Sequence, residues 1–190
     1  RFVGDTQFHS LIEKLTSQGI YFDIFLLNAR WRRIKQEYAD YILVSEKNHL
    51  FNFKQGMLLD EATRQFGKYD FGAMIYPFYK EAFGKGTPIM DEHVRMRLPD
   101  KFFTYIEAGL PIIISEETQY GAKIIKEYEM GIVVGRKELD NLSDVINSYD
   151  REKLKANVKR AREELSMKRH IGRLIDFYGQ VVEGKYESKF

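Results

Sequence analysis

Residues 98–115 read LPDKFFTYIEAGLPIIIS and constrain the fold more than any other stretch of the chain. Asp100 is a good helix N-cap and Lys101 opens a helix. Gly109 ends it, because glycine accepts the left-handed conformation that a helix C-terminus asks for. Pro111 blocks continuation. Ile112, Ile113 and Ile114 then form a β-branched run with no polar alternation. That pattern suits a strand covered on both faces, as in a parallel α/β sheet. On the helix, Lys101, Thr104 and Ala108 share one face and Phe102 and Ile106 another, with Phe103 beside them. One face can pack while the other presents an ammonium and a hydroxyl.

The rest of the chain supplies similar units. Phe2 and Val3 read as the end of a first strand, and Gly4-Asp5-Thr6 turns into a helix over about residues 8–17, with Phe8, Leu11, Ile12 and Leu15 at helical spacing. Strands are predicted at Ile20–Leu27, His49–Phe53, Phe71–Phe78, Ile112–Ile114 and Gly131–Val134. Helices are predicted at Leu58–Phe66, Gln119–Tyr128 and Leu139–Ser148, and the mixed segment before Glu46 is read as helix. The expected fold is α/β, a Rossmann-like doubly wound parallel sheet of about six strands with helices on both faces. Residues 1–150 form this domain. In residues 151–190, two charged helices, Lys153–Leu165 and Lys168–Val182, have no strand after them, so they cover the sheet or reach beyond it. The irregular run Tyr79–Arg97 is long enough to suggest a functional loop.

Composition sets the bounds. The chain has 190 residues, enough for one domain with its own core. A net charge of +2 gives no general pull toward nucleic acid, so no nucleic-acid partner is expected. The absence of cysteine excludes disulfides and thiolate metal sites and fits a reducing, cytoplasmic compartment. No apolar run reaches the ~18 residues of a membrane span. Lys155, Lys159, Arg160, Arg162, Lys168, Arg169 and Arg173 offer peripheral contact with an anionic membrane as the alternative to a solvated helix face. Arg1-Phe2-Val3-Gly4 looks like the tail of a strand, which points to the C-terminal half of a larger enzyme.

Several motifs fall to blander readings. No G-x-G-x-x-G follows the first strand, which leaves a nicotinamide or flavin cofactor without support. Gly84-Lys85-Gly86-Thr87 lacks the earlier glycine and the strand–helix context of a P-loop. Asp91-Glu92-His93 has no second histidine at ligand spacing, so no metal is expected. Arg30 and Arg32 follow the second strand, and ligands bind beyond the carboxyl ends of strands in such sheets, where guanidinium groups can pair with phosphate. A solvated helix start is the rival. Lys101, at a helix N-terminus where free amides already favour an anion, is the strongest single candidate.

Leu98, Pro99, Lys101, Tyr105, Gly109 and Pro111 resemble the leucine-proline-asparagine-lysine … tyrosine … glycine-x-proline segment in the nucleotide-binding half of GT-B-fold glycosyltransferases, with Asp100 where asparagine is usual. FVG at the start, GKYDFGAMIYPF at Gly67–Phe78 and MGIVV at Met130–Val134 match in the same order. The resemblance implies one half of a GT-B fold, carrying a sugar from a nucleotide diphosphate sugar to an acceptor in polysaccharide or glycoconjugate biosynthesis. It implies no cofactor and no metal. The partner would be an N-terminal acceptor-binding domain of the same protein, toward which the last helix packs, leaving part of its apolar stripe exposed in this half alone.

The implied nucleotide-sugar site lies near Gly4, Arg30, Arg32, Phe53, Pro77, Asp100, Lys101, Thr104, Ser115 and Thr118. The lysine matched by Lys101 lies at the family's nucleotide site. Ser115 and Thr118 stand in a donor-facing loop where glycine is common, and Glu116 and Glu117 must turn away for phosphate to bind there. The family usually carries a ribose-binding glutamate at the position of Thr104, and often another glutamate, toward the donor sugar, at the position of Met96. These departures leave a non-catalytic scaffold module as an alternative to a transferase, with a nucleotide-sugar epimerase of the same architecture as the other. No catalytic base is identifiable.

Overall fold

The structure, a computed structural model, describes residues 6–25, 38–54, 58–75, 92 and 94–184. Within them helix and strand alternate: α1 Thr6–Thr16, β1 Phe22–Phe25, α2 Ala39–Lys47, β2 Phe51–Lys54, α3 Leu59–Phe66, β3 Gly72–Met74, α4 Asp100–Glu107, β4 Ile112–Ser115, α5 Gln119–Tyr128 and β5 Gly131–Val134. A 3-10 turn at Glu138–Asn141 leads into α6 Leu142–Asn147, followed by α7 Arg151–Glu164 and α8 Met167–Val182. The helix predicted over Leu139–Ser148 is thus split in two.

β4 is an interior strand, paired in parallel with β3 on one side and β5 on the other. Successive side chains on a strand point to opposite faces. Ile113 enters a cluster with Leu11, Leu15, Ile132, Leu142 and Leu154. Ile112 and Ile114 enter another with Phe102, Ile106, Ile125, Val158 and Ala161. Both faces of β4 are apolar, which is why its sequence does not alternate. Each of these isoleucines contributes roughly 1.5–3 kcal/mol by burial.

The single sheet of about six strands expected from the sequence is not what the described residues form. β1 and β2 pair in parallel as a sheet of two, separate from the sheet of three, β3-β4-β5. The strand expected at Phe2–Val3 lies outside the described residues. Helices tie the two sheets together on both faces. On one face α1 sends Leu11 and Leu15 into the cluster over the three-stranded sheet and Ile12 into the cluster over β1 and β2. On the other, Phe66 of α3 packs against Phe25 of β1 and Tyr105 of α4. A cavity of about 160 Å³ remains between β1 and β3.

α4 starts one residue earlier than predicted. Pro99 is its N-cap and Asp100 its first residue, and no side-chain cap bond forms. The correction follows from proline, whose fixed φ and extended ψ of 151° deliver the chain into the helix without a side-chain acceptor. The end is as expected: Gly109 takes φ 76°, and its N–H donates to the Ile106 carbonyl at 3.0 Å.

Asp150 is the N-cap of α7, and its carboxylate accepts the N–H groups of Glu152 and Lys153 at 3.0 and 3.1 Å. Its apolar residues Leu154, Val158 and Ala161 are buried. Two of its basic residues serve other helices: Arg160 donates to the Tyr128 carbonyl at the end of α5, and Arg162 to the Glu107 carbonyl at the end of α4. These are the last carbonyls of each helix, where cations are favoured. α8 differs, with no buried residue along its length. No helix among the described residues is long and apolar enough to cross a membrane.

Candidate functional site

A short Gly109-Leu110-Pro111 link makes α4 run antiparallel to β4, so the start of α4 lies at the carboxyl edge of the sheet. α5 leaves the other end of β4 after three residues, which puts its start at the same edge. Side chains join the two helix starts. Arg95 Nε donates to Gln119 Oε1 at 3.1 Å, and Leu98 lies against Gly121, close enough that a Cβ on the glycine would be 3.5 Å from its methyl. Two helix N-termini therefore lie at the edge where parallel sheets bind ligands, a setting suited to an anion.

Ser115 ends β4 and is buried. Thr118 is the N-cap of α5, and its carbonyl accepts the Ala122 N–H at 2.8 Å. Its side chain is fully buried, yet Oγ1 has no hydrogen-bond partner. Buried hydroxyls are rarely left so. Glu116 turns toward the far side of the loop, where a Cβ on Gly135 would meet its carboxylate at 2.8 Å. The Gly135 N–H is itself held by Glu138 at 3.0 Å.

Asp100 is exposed in the first turn of α4, and Lys101 beside it is half-buried, lining the cavity between the sheets together with Tyr105 and Phe25. The helical wheel places Thr104 on a presenting face, and the structure corrects this. Thr104 is buried, and its hydroxyl donates to the Asp100 carbonyl at 3.2 Å. α3 and α7 both pack against α4 and close off more of its surface than its own periodicity shows. Met96 is exposed. Phe53 is buried on β2, stacked on Tyr38 and Tyr41 with centroids 5.6 and 5.7 Å away. Its ring thus serves the core under α2. Gly4, Arg30, Arg32 and Pro77 lie outside the described residues.

One polar cluster has no counterpart in the sequence reading. Asp23 of β1 accepts hydrogen bonds from Asn52 Nδ2 at 2.8 Å and from the Tyr69 hydroxyl, and it is ion-paired with Lys54 of β2. Lys54 also donates to the Tyr69 hydroxyl at 3.2 Å and stands over the Phe25 ring. Burial pushes the Asp23 carboxyl up, but the hydrogen bonds from Lys54, Tyr69 and Asn52 outweigh it and hold the group below the ordinary carboxylate value. For Lys54, burial acts downward and the Asp23 contact wins, raising it. Burial and Asp23 together raise the Tyr69 hydroxyl. The residues come from two strands and the loop before a third, and only the β1–β2 register, Asp23 opposite Asn52, brings them together. A period-two reading of each strand carries no sign of it.

Comparison with curated proteins finds no match, and comparison with solved structures finds none either. A family model does match, over residues 38–176, a span running from the start of α2 into α8 and including the whole of the three-stranded sheet. Its description is the C-terminal domain of glucosyltransferase 3-like proteins. The match covers more than half of the chain, and the chain belongs to the glucosyltransferase 3-like C-terminal domain family.

Proposed function

We propose that this domain is the donor-binding half of a glycosyltransferase that takes a sugar from a nucleotide diphosphate sugar. What carries the reading is Thr118, a buried hydroxyl without a partner at the start of α5, set beside Ser115 and joined through Arg95 and Leu98 to the start of α4. Membership of a glucosyltransferase 3-like family supports a transferase reading. A diphosphate at this edge would receive N–H groups from two helices, hydroxyls from Ser115 and Thr118, and the ammonium of Lys101. The domain's part in catalysis is then positioning and charge stabilisation of the leaving diphosphate. The acceptor and the remaining walls of the cleft come from a second domain, for which the exposed apolar face of α8 is the contact.

Thr104 favours a second reading. The hydroxyl that stands in place of the family's ribose-binding carboxylate is already bonded to its own helix, which fits a scaffold module that no longer turns over donor. Calorimetric titration with uridine, guanosine and adenosine diphosphates separates the two. The donor reading expects one of them to bind, and Lys101→Ala to weaken it by about 1.5–3 kcal/mol, the range for hydrogen bonds to charged groups. No binding by any of the three selects the scaffold.

A further inference from the structure

We propose that residues 94–98 form a strap that seals the start of α5, and that a diphosphate reaches Thr118 only when the bond between Arg95 and Gln119 opens. The gate rests on Thr118 belonging to the donor site.

The need for a gate comes from Thr118 itself. None of its surface is exposed, and its Oγ1 is enclosed. A phosphate oxygen must approach to about 2.7 Å to bond a hydroxyl, and an atom that water cannot touch cannot be met in that way. Something over Thr118 must therefore move first. The strand below is no candidate, because β4 is held on both sides by β3 and β5.

The strap is the movable cover. A Cβ on Gly121 would lie 3.5 Å from the Leu98 methyl and 3.3 Å from the Thr118 methyl, so both crowd the space that the glycine leaves in the first turn of α5. Val94 is buried at one end of the strap, and Pro99, the N-cap of α4, fixes the other. Arg95 and Met96 between them are exposed, and residues 97–99 carry neither helix nor strand. On the outside, Arg95 Nε donates to Oε1 of Gln119, the residue after Thr118, at 3.1 Å. Both side chains are exposed, so water competes for this bond and it can open. A ligand shifts such an equilibrium only through contacts made in one of its states. Here the open state offers two: the Thr118 hydroxyl gains the partner it lacks, and Arg95 exchanges a neutral carboxamide for a charged phosphate oxygen, the stronger acceptor.

Gln119→Ala in the intact chain tests the gate, because it cuts the tie at an exposed residue and leaves Arg95 and Thr118 in place. Losing one such bond shifts an equilibrium by roughly 2- to 10-fold. Amide exchange at Thr118, whose N–H donates to the Ser115 carbonyl at 3.1 Å, should quicken by that factor, with Ile113 in β4 unchanged. Calorimetry with uridine, guanosine and adenosine diphosphates is the second readout. Whichever of them binds the parent should bind the variant more tightly by the same factor, because affinity scales with the open fraction. Quicker exchange with equal or weaker nucleotide binding overturns the gate and leaves the donor site standing. Unchanged exchange at Thr118 while a nucleotide still binds does the same. No binding of any of the three by either chain overturns both, since a cover over no site gates nothing.

Discussion

The ring of Tyr105 lies flat against Gly72, leaving no room there for a Cβ. Tyr105 is one of the residues that carries the family resemblance, and its place is structural: it docks α4 on the start of β3. Gly72→Ala should therefore lower stability by roughly 1–3 kcal/mol, the usual range for overpacking. In urea denaturation, Tyr105→Ala alone should also destabilise, by loss of packing. The double variant should cost less than the sum, because the ring that the added methyl would strike is gone. Strict additivity would mean that the two residues do not meet.

Asp23→Asn should cost about 1.5–3 kcal/mol at neutral pH, since it removes charged acceptors from Lys54, Tyr69 and Asn52. The sign with pH is fixed by the direction of the shift. A carboxyl held below its unfolded value stabilises the fold above that unfolded value, near 3.8. The contribution fades as pH falls through the folded value. Denaturation of parent and variant should converge in acid. At the other end, Lys54 is raised above 10.5, so its share is present below that pH and lost as pH rises through the folded value. A difference between parent and variant that stays constant down to the lowest folded pH would remove Asp23 from the account.

What the sequence made legible is what local pattern can encode. β4 was readable because three isoleucines in a row need cover on both faces, and Gly109 because a helix end needs its left-handed turn. The start of α4 lies one residue before the one its sequence suggests, because Pro99 enters the helix on its own fixed φ and leaves Asp100 inside the first turn. Thr104 is buried against expectation because a helical wheel shows which residues share a face, and not how many neighbours cover it. The Asp23 cluster joins residues up to 46 apart through strand register, which no window reports.

Ile171, Leu174, Ile175, Tyr178 and Val182 share a face of α8, and all are exposed, Val182 at 86%. Ile175, 63% exposed, loses little of its surface to the fold and so contributes little to it. Ile175→Glu should shift the stability of this chain by no more than about 0.5 kcal/mol. It should also raise solubility, because a contiguous apolar patch is broken. Equilibrium denaturation and a precipitation assay read the two effects. A loss well beyond that limit would mean that this face of α8 is covered in solution.

Thr118→Val separates a binding role from a structural one by the sign of two effects. Valine keeps the shape of threonine and replaces the hydroxyl with a methyl. Because Oγ1 is buried without a partner, the parent carries the desolvation penalty of that group, about 1–3 kcal/mol. Its removal should leave the fold unchanged or more stable. If the hydroxyl meets a phosphate oxygen, the same change should weaken binding of a nucleoside diphosphate by about 0.5–1.5 kcal/mol. Denaturation and calorimetry on one variant then give opposite signs. A clear loss of stability would show that the hydroxyl has an internal partner, and unchanged nucleotide affinity would place the diphosphate elsewhere than the start of α5.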